Sequence, residues 1–145
     1  MKIYRLNFIL FIALPLMACS DRIYEQPSDK YPFTSKIKEV LGSNNVEIID
    51  SINRSETQIS YFEISKDPTK LKDIITLLEK DGWVLKGHGI FVDTYCLGLN
   101  NKINIVIPIF VEGLYDFKGG QLKRTNYGIN AVLYRYYKWG DYLCE

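Results

Sequence analysis

The sequence DPTKLKDIITLLEKDGW, residues 67–83, contains the clearest element of the chain, because it predicts one long helix and the start of the strand that follows it. Asp67 suits the N-cap and Pro68 the first helical position. Gly82 is well placed to end the helix in a left-handed turn, and Trp83 then opens a strand and packs against the helix end. The apolar residues form one stripe, opposite a charged surface: Leu71, Ile74, Ile75 and Leu78.

A shorter amphipathic helix is predicted upstream, in the sequence FTSKIKEVLG at residues 33–42. Its apolar residues fall at i, i+4, i+7 and i+8, the spacing of one helix face. Thr34 or Ser35 can cap the start of this helix, and Gly42 can end it. The apolar residues are Phe33, Ile37, Val40 and Leu41.

Five stretches rich in β-branched and aromatic residues predict strands. Residues 53–56, NRSE, form a gap of hairpin length between the first two stretches, so antiparallel pairing is expected there. Gly87 and Gly89 predict a bulge or a close approach within the third stretch, and Pro108 predicts an edge strand or a bulge in the fourth. The stretches are residues 46–52, 57–65, 83–95, 102–110 and 127–139.

This order of elements predicts an α+β fold in a single domain, residues 33–145. Strands outnumber helices, and short gaps between strands dominate. The expected architecture has two layers, a mainly antiparallel β-sheet of about five strands with one long and one short helix packed on one face.

The N-terminus has the features of an export signal. Lys2 and Arg5 give a basic start, and from Leu6 to Ala18 only Asn7 is strongly polar. This apolar run of about 13 residues is shorter than the roughly 20 that a transmembrane helix needs. It therefore predicts a signal peptide over residues 1–18.

The residues that follow this run, Leu16-Met17-Ala18-Cys19, resemble the lipobox of bacterial lipoproteins. Met17 is a less usual occupant of its position. The resemblance implies that diacylglycerol is attached to the Cys19 sulfur and that the mature chain begins there. Residues 19–32 are then a lipidated terminus and tether. By analogy with enterobacterial lipoproteins, Ser20 favours the periplasmic face of the outer membrane in a Gram-negative host. The alternatives are the outer leaflet of the inner membrane and a Gram-positive cell surface.

The charge of the chain gives no reason to expect a nucleic-acid partner. Removing Lys2 and Arg5, two of the 18 basic residues, leaves 16 basic against 17 acidic residues. No basic run is present, whereas nucleic-acid binding depends on clustered lysine and arginine.

Two cysteines remain once Cys19 carries lipid, namely Cys96 and Cys144. An even pair in an exported protein predicts a disulfide. The enclosed loop of about 49 residues implies a stabilisation of roughly 4 kcal/mol. A catalytic or metal-binding thiol is the alternative, which the absence of CxxC and the single histidine disfavour.

No catalytic constellation, metal site or cofactor site is predicted. His88 is the only histidine, and its glycine neighbours either admit a ligand or shape a bulge. HExxH, GxSxG and Ser-x-x-Lys motifs are absent. Paired carboxylates for peptidoglycan cleavage could come only from scattered acidic residues, the candidates being Asp93, Glu112, Asp116 and Asp141.

The most unusual feature is the aromatic C-terminal stretch. Alternation along the last strand separates Tyr134 and Tyr136 from Tyr137 and Trp139. If helices cover the second pair, the first pair faces outward and forms a partner-binding surface, with basic residues interleaved. The other interpretation is that these rings fill the core. The interleaved basic residues are Arg135 and Lys138.

These features favour a lipid-anchored, non-catalytic binding module for a protein or envelope component. One concrete version is an immunity lipoprotein that blocks an envelope-attacking toxin, a resemblance in format only. The alternatives are a structural or assembly accessory of the envelope and a small hydrolase acting on peptidoglycan or lipid.

Overall fold

Two helices and eight strands form the part of the chain that the computed structural model describes, residues 29–43, 45–108, 113–123 and 129–145. The helices are α1 (Phe33–Leu41) and α2 (Pro68–Lys80). The strands are β1 (Ile49–Asn53), β2 (Thr57–Ile64), β3 (Val84–His88), β4 (Val92–Leu97), β5 (Asn101–Val106), β6 (Leu114–Tyr115), β7 (Gln121–Leu122) and β8 (Asn130–Tyr137).

The long helix α2 has the ends that the sequence predicts. The side chain of Asp67 accepts a hydrogen bond from the backbone N–H of Thr69 at 2.9 Å, and Pro68 occupies the first turn. Gly82 has φ +86°, a left-handed conformation that glycine adopts without steric cost. Trp83 is buried directly after the helix, and its backbone N–H donates to the Leu78 carbonyl.

The shorter helix α1 forms where predicted and ends at Gly42, which has φ +82°, but the predicted capping of its N-terminus is wrong. Thr34 and Ser35 both lie inside the helix, which begins at Phe33 and has no side-chain cap. A capping side chain must precede the first helical residue to reach the free backbone N–H groups. The Ser35 hydroxyl instead donates to the Pro32 carbonyl at 2.9 Å.

The fold is α+β with a mainly antiparallel sheet. Six strands pair in the order β1-β2-β8-β5-β4-β3, every pair antiparallel, and β6 and β7 form a separate two-stranded sheet. The last strand, β8, therefore lies inside the sheet between β2 and β5. This position makes β8 the strand that joins the two halves of the sheet.

The expected count of about five strands differs from the structure because residues 83–95 form two strands rather than one. Between β3 and β4 the chain turns, and Phe91 has φ +60°. Ile90 leaves the main sheet here and pairs with Tyr115 of β6. The bulge predicted near the glycines is present as a register shift between Leu85 and Gly87.

The strand β5 is internal, so the prediction that Pro108 marks an edge strand or a bulge is wrong. Hydrogen bonding to β4 and β8 ends at Val106, and Pro108 lies beyond it, where no ladder hydrogen bond is required. Ile103 and Ile105 are both buried, as their alternation predicts, whereas Ile109 lies outside the described residues.

The main apolar core contains residues from both helices and from four strands. Phe33 of α1 stacks on Tyr134 of β8, with ring centroids 4.6 Å apart. A smaller apolar cluster lies on the opposite side of the sheet, because its strand residues alternate with those of the main core; it contains Val92, Val106, Leu114 and Ala131. The main core includes Phe33, Ile37, Ile74, Leu78, Phe62, Tyr95, Ile103, Ile105, Val132, Tyr134 and Tyr136.

The folded domain begins earlier than predicted, because residues 29–32 pack against it. Tyr31 is buried, and its backbone N–H donates to the Asn101 side chain at 2.9 Å. The tether boundary at residue 32 is therefore at least four residues too late. The lipobox and Cys19 lie outside the described residues. Neither described helix is long and apolar enough to span a bilayer.

Candidate functional site

One surface of the sheet carries apolar and aromatic side chains that face solvent. Alternation places most of these residues opposite the main core, on neighbouring strands β1, β2 and β8, and Trp139 follows β8 and contacts Tyr137. Ile49 is 42% exposed, Ile52 37% and Trp139 68%. We call this surface the open face and define it by Ile49, Ile52, Ile59, Tyr61, Leu133, Arg135, Tyr137 and Trp139.

The open face ends at β5, because the same side of β4 and β5 is covered, although Val84 on the edge strand β3 is again 58% exposed. Leu114 of β6 packs into the small cluster over Val92 and Val106. The C-terminal segment covers the neighbouring region, where Leu143 is buried. Of this side of the sheet, the β1-β2-β8 half therefore presents apolar side chains to solvent.

The predicted disulfide between Cys96 and Cys144 is present, with Cα atoms 5.6 Å apart. Both cysteines are buried, and the bond attaches the C-terminal segment to β4. Because each sulfur is bonded to the other, neither serves as a catalytic or metal-binding thiol in this structure.

A charged cluster lies at the boundary between the covered half and the open face. The Lys102 Nζ atom is 2.6 Å from Asp141 Oδ2, and both side chains are almost fully buried. Arg135 Nη1 lies 3.8 Å from the same oxygen, but the Arg135 side chain is 43% exposed. Among the described residues, the buried Arg135 Nε has no hydrogen-bond partner.

Arg135 also stands over an aromatic pair. Its guanidinium carbon is 5.2 Å from the centroid of the Tyr137 ring. Tyr137 meets Trp139 edge to face, with ring centroids 5.2 Å apart. Cation–π contact and aromatic packing of this kind orient the three side chains as one group.

The prediction that Tyr134 and Tyr136 form a partner-binding surface is wrong, and the alternative that they fill the core is what the structure contains. They are 1% and 0% exposed, because Phe33 of α1 stacks on Tyr134 and Lys30 lies over the Tyr136 ring. The Tyr136 hydroxyl donates to Asp29 Oδ1 at 3.0 Å. Burial and this hydrogen bond raise the pKa of Tyr136 to about 12. Arg135 and Lys138, named with them, are on the open face and beside it.

His88 pairs with Asp93, with 2.7 Å between Nδ1 and Oδ1. The flanking glycines accommodate this chain's own residues, because a Cβ atom on Gly89 would overlap the Tyr115 carbonyl and one on Gly87 would lie 2.6 Å from Phe117. His88 also borders an open cavity of about 450 Å³, lined further by Gly89, Ile90, Tyr115, Asp116, Phe117 and Gly119.

The candidate carboxylates have other partners. Asp116 Oδ1 accepts from the backbone N–H groups of Lys118 and Gly120, Asp141 pairs with Lys102, and Asp93 bonds His88. Glu112 lies outside the described residues. Within the described ranges, no cluster of three or more histidine, cysteine or carboxylate side chains could hold a metal ion.

Sequence reasoning identified the aromatic strand but missed the residues that complete its exposed side. Tyr137 and Trp139 could have been found from their alternation with Tyr134 and Tyr136. Ile49 and Ile52 carried no such signal, because only strand order places β1 beside β2 and β8. Comparison of the chain with protein-family models, curated proteins and solved structures finds no match.

Proposed function

We propose that this chain is a lipid-anchored, non-catalytic binding module whose partner is a protein or another envelope component docked on the open face. The observation that carries the proposal is the solvent exposure of Ile49, Ile52 and Trp139 on one surface. Contiguous exposed apolar side chains are typical of interaction sites. Arginine, tyrosine and tryptophan, which occur here as Arg135, Tyr137 and Trp139, supply much of the binding energy in protein interfaces.

In this proposal the domain has two layers with separate roles. Residues of both helices, including Phe33 and Ile74, share one apolar cluster with Tyr134. The helices thus stabilise one side of the sheet and leave the β1-β2-β8 half of the other side for the partner.

The compartment follows from the N-terminal motif. Lipid on Cys19, after removal of residues 1–18, would hold the domain at the periplasmic face of the outer membrane. Two or three acyl chains give stable anchoring, whereas one chain alone binds only marginally. The Cys96–Cys144 disulfide supports an oxidising compartment.

An immunity lipoprotein is the concrete version that this format supports. Its partner would be an envelope-attacking toxin, which the open face would bind and block. Deletion of the gene should then sensitise cells to that toxin, and deletion without any effect on killing would count against this version. Loss of outer-membrane integrity without any toxin would instead indicate an assembly accessory.

The proposal is tested by photocrosslinking in the cells that produce the protein. A photoreactive residue replaces Ile52 or Trp139 on the open face, and Lys72 on the exposed side of α2 provides the matched control. We expect one discrete adduct from both open-face positions and none from Lys72. The absence of adducts, or the same adducts from all three positions, would contradict the proposal.

A quantitative test follows once mass spectrometry has identified the crosslinked partner. Trp139→Ala and Ile52→Asp should each weaken binding of the purified partner at least about tenfold, or 1.4 kcal/mol. Val84→Ala is the control, because Val84 is exposed to a similar degree but lies on β3, at the opposite edge of the sheet from β1. Equal effects of all three substitutions would argue against docking on the open face.

Hydrolysis of peptidoglycan or lipid is a second candidate, favoured by the His88–Asp93 hydrogen bond. A carboxylate that holds one imidazole nitrogen leaves the other available as a general base. Purified protein should then degrade cell-wall sacculi or lipid, and His88→Ala and Asp93→Ala should abolish turnover. Turnover that is absent from the wild-type protein would exclude this candidate.

A further inference from the structure

We infer that the open face binds a protein partner through an acidic side chain, which docks on the guanidinium of Arg135 beside Tyr137 and Trp139. This inference rests on the proposed function, since it names the chemistry of the partner at the same surface. It assigns to Arg135 the role of a carboxylate receptor.

The local charge around Arg135 favours an acidic partner. Lys102 and Arg135 carry two positive charges, and Asp141 supplies one negative charge between them. Asp141 is buried and lies 2.6 Å from Lys102 but 3.8 Å from Arg135, so its negative charge mainly offsets the positive charge of Lys102. Arg135 therefore keeps positive charge that nothing within this cluster offsets. Because 43% of its side chain is exposed, that charge reaches the open face.

The guanidinium of Arg135 is positioned to bind a carboxylate. Arg135 lies on β8, inside the sheet, and this strand is held on both sides by hydrogen bonds to β2 and β5. Its guanidinium carbon stands 5.2 Å from the Tyr137 ring centroid. A planar guanidinium held in this way loses little side-chain freedom when it binds a carboxylate, and it can donate two parallel hydrogen bonds.

The apolar and aromatic surroundings of Arg135 favour a protein partner. Tyr137 and Trp139 form an aromatic border on one side, and Ile59 is its cross-strand neighbour on β2. A partner that covers these side chains excludes water from the ion pair, and the lower local dielectric strengthens the attraction. Apolar contact and one acidic group together fit a protein surface.

A membrane surface is the rival occupant and fits less well. Binding to anionic lipid headgroups uses clusters of roughly four to eight basic residues. Here the basic residues on and beside the described open face are Arg135, Lys138 and Arg54, and the acidic Glu56 and Glu63 lie near them. The three basic residues are fewer than such a cluster contains, and the acidic residues offset part of their charge.

The test uses the full chain, labelled with ¹⁵N and purified in a nonionic detergent, and follows its two indole N–H signals by NMR. Trp139 is exposed and contacts Tyr137, the ring over which Arg135 stands, whereas Trp83 is buried in the core and reports on folding. The probes are tetraglutamate, tetralysine and glycerol 3-phosphate, the last representing a lipid headgroup. We expect tetraglutamate to shift the Trp139 signal with millimolar affinity. Tetralysine should leave the Trp139 signal unchanged, and the Trp83 signal should stay unchanged with every probe.

Substitutions then assign the effect to Arg135. Arg135→Gln should weaken tetraglutamate binding about tenfold, whereas Lys138→Gln should change it less than about threefold. If Arg135→Gln shifts the Trp83 signal and so alters folding, Arg135→Lys is used, and it should still weaken binding because it loses the planar fork.

Three results would overturn the inference. They are no shift of Trp139 with tetraglutamate, a shift that the Arg135 variants leave unchanged, and tighter binding of glycerol 3-phosphate than of tetraglutamate. Photocrosslinking from Ile52 and Trp139 can succeed in each of these cases, so failure of the acidic anchor is distinguishable from failure of the binding module itself.

Discussion

Phe33 of α1 lies flat against Tyr134 of β8, with ring centroids 4.6 Å apart and planes 12° from parallel. Both rings are buried, so the contact joins the first helix to a strand inside the sheet. It also decides which side of β8 becomes the core and which side stays exposed. Substitutions at this pair should therefore affect stability rather than partner binding.

Phe33→Ala should lower the free energy of unfolding by about 3–5 kcal/mol, because it removes a buried ring and leaves a cavity. Tyr134→Phe should cost only about 1 kcal/mol, since it removes the hydroxyl that donates to Asn101 and keeps the ring. Urea unfolding measures both, with Trp139→Ala as the exposed control. The expectation fails if Phe33→Ala is no more costly than Trp139→Ala.

Removing the disulfide should weaken the whole domain. The double substitution Cys96→Ser and Cys144→Ser opens a loop with a sequence separation of 48 residues. The chain-entropy argument gives a loss of about 4 kcal/mol in unfolding free energy. Urea unfolding of the double variant and of the wild-type protein with and without reductant measures this loss.

The C-terminal segment should respond most strongly to that change. Amide exchange of residues 141–145 should accelerate in the double variant more than exchange of α2, because the disulfide holds this segment against β4. Equal stability of the oxidised and reduced proteins would show that the segment is held mainly by other contacts, such as the Lys102–Asp141 pair.

The sequence predicted α2 well because its signals are local. Asp67, Pro68 and Gly82 act within one turn of the helix ends, so each can be interpreted without knowledge of distant residues. The α+β class and the antiparallel pairing also follow from local patterns, namely alternation and short gaps. Cys96 and Cys144 could be paired by number alone once Cys19 was assigned to lipid.

Features that depend on distant contacts could not be predicted. The turn between β3 and β4 depends on the pairing of Ile90 with Tyr115 in another part of the chain. Alternation separated Tyr134 from Tyr137, but only the packing of α1 decides which of them is buried. The early start of the domain has the same origin, since Asn101 holds Tyr31 across 70 residues of sequence.

Asn101 should be important for stability because its buried amide has four hydrogen bonds. Its Oδ1 accepts from the Tyr31 N–H and the Tyr134 hydroxyl, each at 2.9 Å. Its Nδ2 donates to the carbonyls of Asp29 and Leu97. Asn101→Ala leaves these groups unpaired, and each unpaired buried group costs about 1–3 kcal/mol.

We expect Asn101→Ala to destabilise the domain by at least about 2 kcal/mol. Hydrogen exchange should show the largest increase at the Tyr31 amide, which loses its acceptor. Leu99→Ala, at an exposed neighbouring position, should change stability by less than about 0.5 kcal/mol. Unchanged exchange at Tyr31 would mean that residues 29–32 are held by the Tyr31–Trp83 ring contact instead.

Tyr136 should make the domain sensitive to alkali. Its pKa is raised to about 12, first by burial and then by the hydrogen bond to Asp29, because both favour the neutral hydroxyl. A group with a raised folded-state pKa contributes its full stability below the unfolded pKa of about 10 and loses it as the pH rises through the folded value. The free energy of unfolding should therefore fall between about pH 10 and pH 12.

In Tyr136→Phe the fall should be shallower but still present, because burial also raises the pKa of Tyr31 and Tyr134. Urea unfolding across this range measures both slopes, and identical slopes would show that Tyr136 is not coupled to stability.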